Sequence, residues 1–126
     1  MTEEKDKLLT IQIIASIVFI ITTIISIILI YNEKLDLEEK ETLFSKKITQ
    51  KISISNRTTI LVLTLIFLYA NYRNDIIARI EQTNIEYFDM NVIASLFNLV
   101  AAVIALYIVL DNTNIESVSE VENPII

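Results

Sequence analysis

Two long stretches of this chain carry no charged residue, and nothing else in the sequence restricts its fold so severely. Asp, Glu, Lys and Arg are absent from Leu8 to Asn32 and again from Met90 to Leu110. Both stretches are built mostly from Ile, Val, Leu, Ala, Thr and Ser. An α-helix needs about 20 apolar residues to cross a hydrocarbon core roughly 30 Å thick, and each stretch is long enough. A chain of 126 residues has no interior that could hide two helices apolar on every side. Membrane spans over residues 8–31 and 90–110 are therefore expected. The first reads as a retained span and not as a cleaved leader. T-E-E-K-D-K before it is as acidic as it is basic, and Tyr31-Asn32-Glu33 follows where a peptidase would need small residues.

A third span is harder to place. T-T-I-L-V-L-T-L-I-F-L-Y-A-N-Y at 58–72 is uncharged but covers only about 22 Å as a helix. A full crossing must begin near Ile52 and take in Arg57 within its first two turns. Arg57 can be tolerated there if its long stem carries the guanidinium out to the headgroups. Tyr69 and Tyr72 suit an interfacial aromatic belt at the other end, with Arg73 just outside. The rival reading is a helix that dips in and is buried against the other two. The fold expected is an all-α transmembrane bundle of three helices, with helices one and two extending beyond the membrane. Residues 1–112 form the transmembrane domain, with spans at 8–31, 52–72 and 90–110, and residues 113–126 form an acidic, disordered tail.

Three spans make the first and third parallel, and these two resemble each other. I-Q-I-I-A-S at 11–16 has a near-copy, M-N-V-I-A-S, at 90–95. Gln12, Ser16, Phe19, Thr23 and Ser26 advance by steps of four and three, and so do Asn91, Ser95, Asn98, Ala102 and Ala105. Such steps hold residues on one helix face. In lipid, faces of small, hydroxyl and amide residues are the ones that pack against other helices. Arg57, Thr64 and Asn71, each seven apart, give helix two a sparser version. Two parallel helices with equivalent contact faces, clasping the middle one, are one reading. Two ordinary spans of convergent composition are the other. Asn98, near the middle of the third span, stands out, because its amide must find a partner or be desolvated at a cost of a few kcal/mol. Hydroxyls need no such partner, since a helical Ser or Thr can bond its own i−4 carbonyl. Packing or interhelical hydrogen bonding is expected of Asn98, Ser95, Asn91, Gln12, Ser16, Thr23, Ser26, Thr64 and Asn71.

The connections carry the charge. E-K-L-D-L-E-E-K-E at 33–41 is net acidic, and an Asp36–Lys40 pair would let helix one run on past the membrane. Lys46, Lys47, Lys51 and Arg57 form a basic cluster entering helix two. Together with Arg73 they are the expected lipid-headgroup contacts. Residues 73–89 are expected to continue helix two, with Ile76, Ile77 and Ile80 on one side, and Asp89 is a candidate cap for the third span. The first connection holds six Lys and Arg; the N-terminus and second connection hold four, namely Lys5, Lys7, Arg73 and Arg79. This favours a multi-pass protein of the cell membrane with its N-terminus outside and its C-terminus cytoplasmic.

Enzymatic chemistry lacks its usual residues. The chain has no His, Cys, Gly or Trp, hence no imidazole base, no thiol nucleophile and no glycine loop for phosphate. The carboxylates show no metal-ligand spacing, and no cofactor is expected. The spans hold neither the acidic coupling groups nor the Gly or Pro breaks of transporters. The partners expected are membrane lipids and either a second copy or another membrane protein, with no nucleic acid and no small-molecule substrate.

Ile is abundant and Gly absent, a usage associated with AT-rich, bacterial genomes. The chain resembles the small three-helix membrane proteins of low-GC Gram-positive bacteria. The resemblance lies in I-I-A-S…I-L-I-Y-N-E at 13–33, N-R-T-T-I-L-V-L-T-L-I-F-L-Y-A-N-Y at 56–72, V-I-A-S…A-A-V-I-A-L-Y-I-V at 92–109 and the terminal E-N-P-I-I. Those motifs cover most of the chain but are largely apolar, and the resemblance implies no activity, cofactor or functional residue. The expected function is that of a small non-enzymatic integral membrane protein acting through helix–helix association, as an accessory subunit or a homo-oligomer. The alternative is a pore former of the holin or toxin type, against which stands the acidic tail, since holins typically end in a basic one.

Overall fold

The computed structural model describes residues 2–111, and the expected tail at 113–126 lies outside them. The described residues form three helices: α1 (Thr2–Leu37), α2 (Lys46–Glu81) and α3 (Ile85–Asp111). All three are long and apolar enough to cross a membrane, which fits a small membrane protein. α2 is one unbroken helix of 36 residues, about 54 Å long. It therefore has the length to cross a bilayer and does not need to dip back.

α1 and α3 both pack on α2 and not on each other. The middle helix is thus clasped, and the two seams share one period. The buried residues of α1 include Leu8, Ala15, Thr22 and Leu29, and those of α2 include Thr49, Asn56, Leu63, Ala70 and Ile77. Every step in both series is seven residues, the repeat that keeps two left-handedly coiled helices in register. Leu8 clusters with Ala70 and Ile77, and Asn56 bonds Thr22. The same antiparallel register sets Ala15 against Leu63 and Leu29 against Thr49. On α3 the buried Ser95, Ala102 and Val109 are again seven apart. They face a second stripe of α2, one residue round from the first, in which Asn71 bonds Ser95.

Small residues at these positions explain the packing. Lipid gives helices no reason to hide apolar surface from water, so attraction depends on close contact between backbones. Ala15, Ala70, Ala78, Ala102 and Ala105 are each buried to 4% exposure or less. The large aliphatics point the other way. Ile13, Ile14, Ile17, Ile20, Ile21, Ile24 and Ile27 of α1 are all more than half exposed, as the lipid-facing surface of a span should be.

The ends of the helices are fixed by polar contacts. Ser45 caps α2 by accepting from the Ile48 N–H. Asn32 pins the first connection: its Oδ1 accepts from the Leu43 and Phe44 N–H at 2.8 and 3.0 Å, and its Nδ2 donates to Thr49 Oγ1. α1 stops at Leu37, so the expected Asp36–Lys40 helical pair gives way to a Lys40–Glu38 contact of 2.9 Å. α3 begins at Ile85, four residues before Asp89. Asp89 is therefore not its cap, and accepts instead from Arg79 at 2.6 Å. With no glycine available, Glu39, Gln82 and Asn84 take the left-handed conformations of the two turns. Each such residue costs on the order of 1 kcal/mol, offset here by the bonds those turns close.

Candidate functional site

The expected polar faces are only partly the seams. Ser26 and Ser95 are buried and engaged: Asn56 Nδ2 donates to Ser26 Oγ at 3.1 Å, and Asn71 donates to Ser95. Ser16 is exposed and bonds its own Gln12 carbonyl at 2.7 Å, and Thr23 bonds its own Phe19 carbonyl at 3.0 Å. Thr64 likewise bonds the Leu61 carbonyl of its own helix. Gln12 and Asn91 are half-buried. The true contact stripe of α1 lies one residue back from the expected one, on Ala15 and Thr22 in place of Ser16 and Thr23. A step pattern of four and three admits either stripe, and only the seven-residue rows of α2 decide between them.

The polar interior contains residues that the spacing argument passed over. Thr22, Asn32, Glu33, Thr49, Ser53 and Asn56 are all buried. Asn56 donates to the Thr22 carbonyl at 3.2 Å as well as to Ser26. The signal was present in the sequence as the row Thr49, Asn56, Leu63, Ala70, Ile77.

Arg57 departs furthest from expectation. It is 1% exposed and the largest fully buried side chain among the described residues. A snorkelling anchor would extend outward to the headgroups, whereas this guanidinium is held inside the bundle. The reason is its position: Arg57 belongs to the α3-facing row with Thr64 and Asn71, so its stem starts inward. Arg73 also differs, because its guanidinium pairs with Glu4 at 2.5 Å and so ties α2 to the start of α1. Lys46, Lys47 and Lys51 are exposed and make no ion pair among the described residues.

At the opposite end, charged residues close the bundle. Lys5 meets Glu81 at 2.6 Å, and Arg79 meets both Asp75 and Asp89. The hydrogen bond between the two carboxyl groups, together with burial, raises the Asp75 pKa. The same bond, with the Arg79 guanidinium, lowers that of Asp89. The Asp75 and Asp89 carboxyls are thus shifted in opposite directions, Asp75 up and Asp89 down, with Arg79 between them.

Because α1 and α3 do not touch, a cleft of about 530 Å³ opens between them, with α2 as its floor. Ser16 and Phe19 stand on one wall, Ser95 and Asn98 on the other, and Thr64 and Asn71 on the floor. Asn98 is exposed, and its side chain makes no hydrogen bond among the described residues. No charged residue lines the cleft. Five polar side chains, Ser16, Thr64, Asn71, Ser95 and Asn98, therefore line the cleft, and the Asn98 amide is left open. Among the described residues no group of His, Cys, Asp and Glu could hold a metal ion.

Compared with known protein families, with curated proteins and with solved structures, the chain matches none.

Proposed function

We propose that this is a non-enzymatic integral membrane protein whose work is helix–helix association within the bilayer, as an accessory subunit or a homo-oligomer. One observation carries the reading: the Asn98 amide faces an open cleft at mid-span and has no partner inside the described bundle. Hydrocarbon cannot satisfy an amide, and leaving it unsatisfied costs a few kcal/mol. A surface that keeps such a group is one that another polypeptide covers. The polar seams support the same reading, because they show this chain already joining helices through small and amide residues.

The orientation proposed is N-terminus outside and first connection cytoplasmic. It is supported by exposed Lys46, Lys47 and Lys51 at the first connection, while Lys5, Arg73 and Arg79 at the other end are occupied by carboxylates.

Sedimentation of the full chain in mild detergent, after crosslinking in native membranes, tests the association. The expected particle exceeds the 14.4 kDa of one chain, either as a multiple of it or as a complex with one defined protein. A monomer with no crosslinked partner would sink the proposal.

A further inference from the structure

We infer that the cleft between α1 and α3 receives a second copy of this chain, with the α3 helices of the two copies parallel and their Asn98 amides bonded to each other. The inference rests on the association reading above and names its partner.

The depth of Asn98 sets the requirement. It lies eight residues from Met90 and twelve from Leu110, about 12 and 18 Å along the helix, beyond the reach of interfacial water. Its amide offers two N–H donors and a carbonyl acceptor. Whatever covers it must therefore bring a donor and an acceptor to that same depth. Acyl chains bring neither.

A second copy meets this requirement by symmetry alone. A two-fold axis along the bilayer normal sets each residue opposite its own counterpart at equal depth. An amide is its own complement, each N–H donating to the other's carbonyl. The rest of the face allows the approach. Ala94 is exposed and Ala101 half-buried, one turn to either side of Asn98, and residues that small let helix backbones come close. No charge lines the cleft, so two identical faces meet without repulsion. Any heterologous helix would need a polar residue at a matching depth, whereas the copy carries one by construction.

The chain contains no cysteine, so Asn98→Cys introduces a single thiol. Asn98 makes no hydrogen bond within the described bundle, so the substitution leaves the fold intact. Val100, about 200° round the helix and 56% exposed, provides Val100→Cys as a lipid-facing control. In native membranes under mild oxidation, Asn98→Cys is expected to give a disulfide-linked dimer and Val100→Cys to give none. In detergent, Asn98→Leu should weaken self-association about eight- to three-hundred-fold, the equivalent of the two reciprocal interhelical hydrogen bonds, and Asn98→Gln should retain it. Equal crosslinking at both positions, or self-association unchanged in Asn98→Leu, would overturn the inference. So would an Asn98→Cys chain that couples only to a different protein, although the association reading would then stand. A chain that is monomeric throughout removes both.

Discussion

Asn56 and Asn98 are both amides within spans, and the bundle treats them in opposite ways. Asn56 is 3% exposed and donates twice to α1, to the Thr22 carbonyl and to Ser26 Oγ. Asn98 is exposed and donates to nothing in the described residues. Substitution should separate them. Asn56→Leu should lower the stability of the isolated chain by about 0.5–1.5 kcal/mol, the usual worth of hydrogen bonds between helices in lipid. Asn98→Leu should leave that stability unchanged. Unfolding by SDS titration from mild detergent, followed by circular dichroism, measures both. A loss in Asn98→Leu equal to that in Asn56→Leu would show that the amide is already satisfied within one chain. Arg57 teaches a related point. A cation near the end of a span invites a headgroup assignment, but the direction of its stem is decided by which helix face it occupies.

At the scale of the element, the turn between α2 and α3 contains the titratable device. The structure holds Asp75, Arg79 and Asp89 against one another there, outside the apolar spans. Asp75 binds its proton more tightly in the folded bundle than in an extended chain. Its contribution to stability is complete below the ordinary aspartate pKa and is lost as pH rises through the raised value. Asp89 behaves in reverse: its contribution is complete above the ordinary aspartate pKa and is lost as pH falls through the lowered value. The junction should therefore be tightest around the ordinary aspartate range and looser on either side. Asp75→Asn keeps a donor toward Asp89 without a proton to lose. It should abolish the high-pH decline and keep the low-pH one, as read from thermal unfolding in detergent across pH. Identical pH profiles for the two proteins would exclude this account.

For the whole molecule, the arrangement of two outer helices on one inner helix places both connections at opposite ends of the bundle. With the proposed orientation, a thiol at Thr83 should react with a membrane-impermeant maleimide added outside intact cells. A thiol at Leu43 should react only after permeabilisation. Equal labelling of both before permeabilisation would mean that the chain inserts in both directions. Induced expression should admit no membrane-impermeant dye, because Ser26, Asn56 and Ser95 are buried in the seams and Asn98 faces a cleft floored by α2, not a channel through the bundle. Dye entry with growth arrest would favour the pore reading.

Local composition was enough to mark three helices as long and apolar enough to cross a membrane. Charge-free runs of this length report on transfer from water to hydrocarbon, a property that each residue carries wherever it sits. The three helices followed directly, and the expected continuation of α2 over 73–89 holds only to Glu81, since Ile85 already opens α3. Which side of each helix faces its neighbour was another matter. Ser16 and Ala15 are one residue and about 100° apart, and a run of Ile, Ser and Thr is compatible with either facing inward. That choice was made by the seven-residue rows of α2, which both outer helices must match. The same rows drew Arg57 inside, and the separation of α1 from α3 left Asn98 facing an open cleft. These are properties of pairs of helices, so no single span could have revealed them.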